Sequence, residues 1–274
     1  MVESLRGGRS GGFAEATWSA LDRDAGRIPP PFDAGTLTDV PAPAQRLLSA
    51  ALPAGTPLHD IVRLSMRGEI RLAGRWMRFT AEQILAANAG FVWAPVVGGR
   101  LVRFVGADAL GPDGARIEFR LHGWIPVVRG AGPDIARSAN GRLAAETVAW
   151  LPTALTPQAG ARWSGHDHHR ATVALQGPGG PIDVDVTVDD EGAVTSLGLQ
   201  RWKDSAKPPA LSPFGGTVSS RFATPDGVSI AGAGTIGWDW GTPGEAEGEF
   251  FRFEITKAAF GPSPDTERYH EERP

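Results

Sequence analysis

The stretch GPDIARSANGRLAAETVAWLPT, residues 132–153, decides how the chain is read: it is the one long helical pattern among segments that alternate like strands. At about 100° per residue, Leu143, Ala144, Thr147, Val148, Trp150 and Leu151 fall on one broad face. Ser138 or Asp134 is placed to cap the start, and Pro152 ends the helix. Glu146 lies at the border of that face, beside Trp150 and one turn from Arg142. Two readings of Glu146 follow. On a solvent-facing border, Arg142 and Glu146 form an i,i+4 ion pair of about 0.3–0.5 kcal/mol. If the helix instead closes over a cavity, Glu146 is a desolvated carboxylate with a raised pKa, able to give or take a proton.

Outward from the helix, the pattern is that of a sheet. Residues 62–72 set Val62, Leu64, Met66, Ile70 and Leu72 against Arg63, Ser65, Arg67, Glu69 and Arg71, a strand with one face buried. Ala73-Gly74 turns into a short strand at 76–79, and Thr80 opens a predicted helix over 81–87. Residues 91–97 and 101–105 form a hairpin around Gly98-Gly99. Further strands are predicted at 116–121, 171–175, 182–188, 194–199, 218–222, 228–236 and 249–255. Roughly ten strands joined by short turns imply antiparallel pairing. The predicted fold class is α+β: a large curved antiparallel sheet, an open half-barrel, with one central helix and short N-terminal helices packed on it. Residues 1–38 read as a flexible N-terminal arm containing a short helix from Phe13, 39–262 as a single β-rich domain opening with a helix at 40–51, and 263–274 as a C-terminal tail.

Composition narrows the function classes. The 274 residues suffice for a sizeable core. The absence of cysteine excludes disulfides, thiolate metal sites and a cysteine nucleophile. A net charge of -4 supplies no field to recruit nucleic acid. No run reaches the roughly 20 apolar residues of a membrane span, and residues 1–18 lack an apolar leader run. The expectation is a cytoplasmic protein with no membrane span and no nucleic-acid partner. Nine Trp and twelve Phe stand against one Tyr, which supplies large apolar surfaces with few hydroxyls. Ordinary core packing and an aromatic-walled pocket both use such a bias.

Two local patterns suggest chemistry and then lose it. In His166-Asp167-His168-His169, an extended backbone puts His166 and His168 on one face, but a two-histidine face needs a third ligand. No spacing links His122 or Glu146 to it, so it reads as a polar turn and no metal is expected. Residues 232–237 spell GxGxxG after a strand, yet a turn sequence rather than a helix follows, which leaves a pyrophosphate nothing to sit on. The glycines fit better as relief of strand curvature. Asp183, Asp185 and Asp189 read as the wet side of a strand. No G-x-S-x-G, Walker or H-E-x-x-H motif is present, and no cofactor is expected.

Several segments taken together resemble a family of uncharacterised bacterial proteins of unknown function. They are residues 68–76 (GEIRLAGRW), 79–93 (FTAEQILAANAGFVW), 140–153 (NGRLAAETVAWLPT), 163–172 (WSGHDHHRAT) and 238–255. The family pairs an F-x-A-x-Q…G-F-x-W segment, matched by Gln83, Phe91 and Trp93, with an L-A-E-x-x-W-x-P-T helix, matched by Glu146, Trp150 and Pro152. The order of strands and helices is also similar to lipoprotein-carrier (LolA/LolB-like) half-barrels, in which a curved sheet and its helices enclose a cavity for acyl chains. That resemblance implies an apolar ligand.

The leading expectation is therefore a protein that binds a hydrophobic small molecule or lipid between the curved sheet and the central helix. Trp93, Trp124, Trp150 and Trp163 are the candidate wall, and Arg142 with Glu146 the polar anchor. The alternative is a cofactor-independent isomerase, cyclase or hydrolase in the same pocket, with Glu146 as acid/base and His122 or His168 as its partner.

Overall fold

A computed structural model describes residues 11–23 and 29–261. Thirteen strands make one sheet: β1 (Ile61–Leu72), β2 (Arg75–Ala86), β3 (Gly90–Gly98), β4 (Arg103–Gly111), β5 (Gly114–Leu121), β6 (Ile125–Ala131), β7 (Arg162–Gly165), β8 (Arg170–Leu175), β9 (Ile182–Val188), β10 (Val194–Lys203), β11 (Ala210–Ala223), β12 (Ser229–Trp238) and β13 (Glu249–Phe260). The helices are α1 (Gly11–Arg23), α2 (Ala42–Ala51), α3 (Pro133–Trp150) and the single turn α4 (Glu245–Gly248).

The strand order is β6-β5-β4-β3-β2-β1-β13-β12-β11-β10-β9-β8-β7. The chain enters the sheet at its middle, in β1, and meanders out to one edge at β6. It then crosses through α3 to the opposite edge at β7 and meanders back until β13 pairs with β1, Val62 opposite Phe260 and Ile70 opposite Phe251. Every pairing is antiparallel, as the short connections predict, and β6 and β7 stay apart, so the curved sheet is unclosed. Close strand approach at the bends requires glycine. A Cβ on Gly216 of β11 would stand 1.8 Å from the Thr235 carbonyl oxygen of β12.

Two expectations are corrected. Residues 81–86 are not a helix but the second half of β2, registered on β1 from Ile61–Ala86 to Leu72–Arg75. Their alternation is hidden because both faces are buried. Leu85 joins the core on the concave side, with Gln83 fully buried in the same phase, while Ile84 and Ala86 pack outward with Val92 and Ala94 beneath α1. The described part of the expected N-terminal arm is docked rather than loose. Ala14 and Leu21 of α1 are buried in that outer cluster, Asp22 pairs with Arg63, and Phe32 and Leu37 belong to the main core. Residues 1–10, 24–28 and the expected tail at 263–274 lie outside the described residues.

Helix α3 differs from its projection in a way that sets up the site. Its N-cap is Gly132, with no side-chain cap; Asp134 accepts instead from Trp202 Nε1 at 3.0 Å. From Ser138 to Trp150 every residue is buried except Arg142 and Glu146, whose side chains are 15 and 12 % exposed. Leu143, Val148 and Leu151 at 2, 3 and 0 % exposure each contribute about 1.5–3 kcal/mol of burial, more than a cap of about 1 kcal/mol would. Packing, not local signals, holds this helix.

If α1 is integral, Leu21→Ala, at a position 2 % exposed, costs about 2–5 kcal/mol of unfolding free energy in urea. A loosely docked arm predicts a loss below about 0.5 kcal/mol.

Candidate functional site

The stripe of α3 formed by Arg142, Ala145, Glu146, Ala149 and Trp150 has i, i+3, i+4 spacing and faces the concave side of the sheet. Between them lies a cavity of about 500 Å³. Aromatic and aliphatic side chains wall it. Trp93 and Val97 come from β3, Phe104 from β4, Ile117 and Phe119 from β5, Phe214 from β11 and Phe250, Phe251 and Phe253 from β13. These rings pack on one another as well: Phe251 stacks on Phe79 at 5.1 Å, Trp93 meets Phe251 edge-on at 5.8 Å and Trp150 meets Phe253 edge-on at 5.3 Å. The wall reaches Leu72, Val127 and Val128, which are 36, 46 and 48 % exposed, so the cavity opens at that rim.

One charged cluster interrupts the apolar lining. Arg142 Nε donates to Glu146 Oε1 at 2.6 Å, and its Nη1 donates to Asp108 Oδ2 at 2.7 Å. Gln83 Nε2 donates to Glu146 Oε2 at 2.7 Å. The guanidinium also lies over the rings of Phe91 (4.5 Å) and Trp93 (5.3 Å). Arg201 of β10 approaches across Gly141, where a Cβ would stand 2.8 Å from its Cγ. It donates from Nε to the Ser138 carbonyl at 2.9 Å and lies over Phe214, and it makes no ion pair among the described residues.

Burial governs the protonation of this cluster. It pushes the Glu146 carboxyl above its ordinary value, against the opposing pull of Arg142 and the Gln83 hydrogen bond; Asp108 adds to the rise. Burial pulls Arg142 down, but Glu146 and Asp108 outweigh it and hold the guanidinium above its ordinary range. Burial and the neighbouring Arg142 charge bring Arg201 down to about 10. Four buried side-chain atoms around the cluster and the cavity wall have no hydrogen-bond partner: Gln83 Oε1, Trp93 Nε1, Asp108 Oδ1 and Trp150 Nε1.

The structure brings together Trp93, Arg142, Glu146 and Trp150 among the residues singled out in the sequence. It places the others elsewhere. Trp124 is 82 % exposed in the β5–β6 turn, and His122 sits in the same turn with φ 51°. Trp163 of β7 donates to the Leu155 carbonyl at 2.8 Å, outside the cavity lining. His168 is exposed beside Asp190 (3.2 Å), so neither histidine reaches Glu146. His168, His169 and Asp190 offer ligand atoms within 4.8 Å of one another on the open surface, whereas His166 bonds Thr172 Oγ1 at 2.6 Å. Asp108 and Arg201 were missed by sequence reasoning. Their signal was phase: Asp108 shares the inward register of Phe104 and Leu110, and Arg201 that of Leu197 and Leu199.

Because the native pKa of Glu146 is raised above 4.5, the folded state binds more protons than the unfolded state between the two values, and stability falls as pH rises through the folded pKa. Replacing Glu146 by Gln removes that dependence. The stability difference between Glu146→Gln and the parent, measured by urea unfolding at a series of pH values, therefore moves in favour of Gln as pH rises above about 4.5. A flat difference contradicts the burial of this carboxylate.

Comparison with known families agrees with the resemblance seen in the motifs. Three solved structures are similar in shape. One is a domain from Vibrio parahaemolyticus described as an outer membrane lipoprotein-sorting protein (TM-score 0.41, 9 % identity, 77 % of this chain and 90 % of that one). Another is a LolA superfamily protein from Nitrosomonas europaea (0.41, 10 %, 82 % and 94 %). The third is a DUF1329 family protein from Desulfovibrio piger (0.40, 7 %, 74 % and 86 %). At these identities and TM-scores the likeness carries nothing further to this chain. No curated protein matches the chain. Residues 30–253 match DUF6544, a family of unknown function, and the chain belongs to that family.

Proposed function

We propose that the protein binds a hydrophobic small molecule or lipid in the cavity between α3 and the concave face of the sheet. The observation that carries this is the cavity itself: about 500 Å³, walled by Trp and Phe, with charge confined to one cluster. Ligand sites are typically apolar concavities of about 300–1,000 Å³ with a few convergent polar groups. Trp93 and Trp150 supply wall area, and Arg142, Glu146, Asp108 and Arg201 the polar anchor. An amphiphile with one polar end suits this division, since its tail meets the phenylalanines and its head meets a cluster that leaves donors and acceptors unpaired.

A second reading rests on Glu146. A carboxylate with a raised pKa beside an apolar cavity is suited to proton transfer, and the protein would then be a cofactor-independent isomerase, cyclase or hydrolase. With His122 and His168 out of reach, the groups touching Glu146 are Arg142 and Gln83. Glu146→Gln separates the readings: an enzyme loses turnover and keeps affinity, whereas a binding protein changes only modestly in affinity.

Cavity filling tests the main reading. Ala149 faces the cavity from α3, and Ala149→Phe puts a ring into it. A fluorescent dodecanoate probe should bind the parent and bind the variant at least about tenfold more weakly, about 1.4 kcal/mol, with the thermal midpoint within a few degrees. Equal binding by both proteins, or none by the parent together with a ligand-free native mass spectrum, would contradict the proposal.

A further inference from the structure

The exposed large apolar side chains of the described residues gather at one end of the sheet. In an antiparallel meander, the β1–β2, β3–β4 and β5–β6 turns all fall at the same end. That end is the rim where the cavity opens. Leu72 ends the strand that leads into the first of these turns, Leu101 and Val102 occupy the second, and Trp124 lies in the third with Ile125 opening the strand after it; Leu101 is 91 %, Trp124 82 % and Ile125 58 % exposed. The second and third turns are physically joined, since the His122 amide donates to the Arg103 carbonyl at 2.6 Å. A soluble surface ordinarily scatters such residues singly, so a cluster of this kind marks a contact surface.

The charges of these turns are of one sign. Residues 71–75, 98–103 and 120–129 contain six arginines and neither Asp nor Glu, in a chain whose net charge is -4. Arg120 and Arg129 share Glu118. Arg71, Arg75, Arg100 and Arg103 are exposed and make no ion pair among the described residues. At the same end of the sheet, Asp239, Glu245 and Glu247 sit on the β12–β13 connection and Asp204 on the β10–β11 turn, in the other half.

We propose that these three turns dock on an anionic phospholipid bilayer, with Leu101, Trp124 and Ile125 entering the headgroup layer and Arg71, Arg75, Arg100 and Arg103 meeting lipid phosphates. The surface favours a bilayer over a protein partner. Its apolar side chains protrude from separate tight turns and are interleaved with arginines, the pattern of an interfacial anchor, and they do not form a continuous groove. The rim also continues into the cavity wall through Leu72, Val127 and Val128, which gives an apolar ligand a path that avoids water. The docking rests on exposure and charge at the rim, independently of what the cavity holds.

The test is flotation of the full chain with vesicles of phosphatidylcholine alone or mixed with phosphatidylglycerol. The parent should float with the anionic vesicles and not with the neutral ones, and should be released by high salt. Leu101→Ser/Trp124→Ser/Ile125→Ser and, separately, Arg100→Glu/Arg103→Glu should each weaken partitioning at least about tenfold and leave dodecanoate-probe binding unchanged. Ala149→Phe should float like the parent, so failure of the cavity reading and failure of the docking are distinguishable. A parent that stays unbound, or rim variants that float equally well, would overturn the proposal. So would a parent dimer that the rim variants convert to monomer without any vesicle binding, because the surface would then belong to a second copy of the chain.

Discussion

One arginine held between two carboxylates inside an apolar concavity is the interaction on which the rest of this structure turns. Arg142 reaches Glu146 on its own helix and Asp108 on β4, which fixes α3 against the sheet in both rotation and height. Burying such charges is costly, and a well-packed apolar substitute is often as stable or more so. The cluster therefore explains little of the stability. What it does explain is specificity of placement: Arg142 can satisfy both carboxylates only when its stripe of α3 points inward, and that orientation sets the wall of the cavity.

The topology makes this placement necessary. The sheet begins in the middle, leaves by one edge and returns by the other, so a single connection must cross between β6 and β7. That connection contains α3, which is surrounded by strands and buried over most of its length. A helix in this position can either fill the concavity or stand off from it. Small residues at Ala145 and Ala149, beside Trp150 and the half-buried phenylalanines of β13, leave the space unfilled. The same strand turns that end the cavity present arginines and bare apolar side chains to the outside, so the interior and the rim form one continuous surface.

Much of this was legible in the sequence, for reasons that differ by element. The alternation of Val62, Leu64 and Met66 against Arg63, Ser65 and Arg67 reports β1 because only one of its faces is apolar. The period vanishes in β2, where Ile84 lies under α1 while Gln83 and Leu85 face the core. Strand β6 was missed because Ile125, Val127 and Val128 are exposed without alternation and Pro126 interrupts them. The projection of α3 found Glu146 at the border of the apolar face. It could not show that this border looks onto a cavity, because strands distant in the sequence, β3, β11 and β13 among them, help to create that cavity. Nor can residue type distinguish Trp93, which walls the cavity, from Trp124, which stands in solvent.

The central claim is that an apolar ligand occupies the space between α3 and the sheet. A crystal structure of the protein soaked with 12-bromododecanoate tests it most directly, because bromine scatters anomalously and reports its own position. The account predicts a bromine peak among Phe119, Phe251 and Trp150, with the carboxylate toward Arg142 and Arg201. A structure in which Trp150 and Phe251 close the space, with bromine absent from it or found only on the outer surface, would contradict the account.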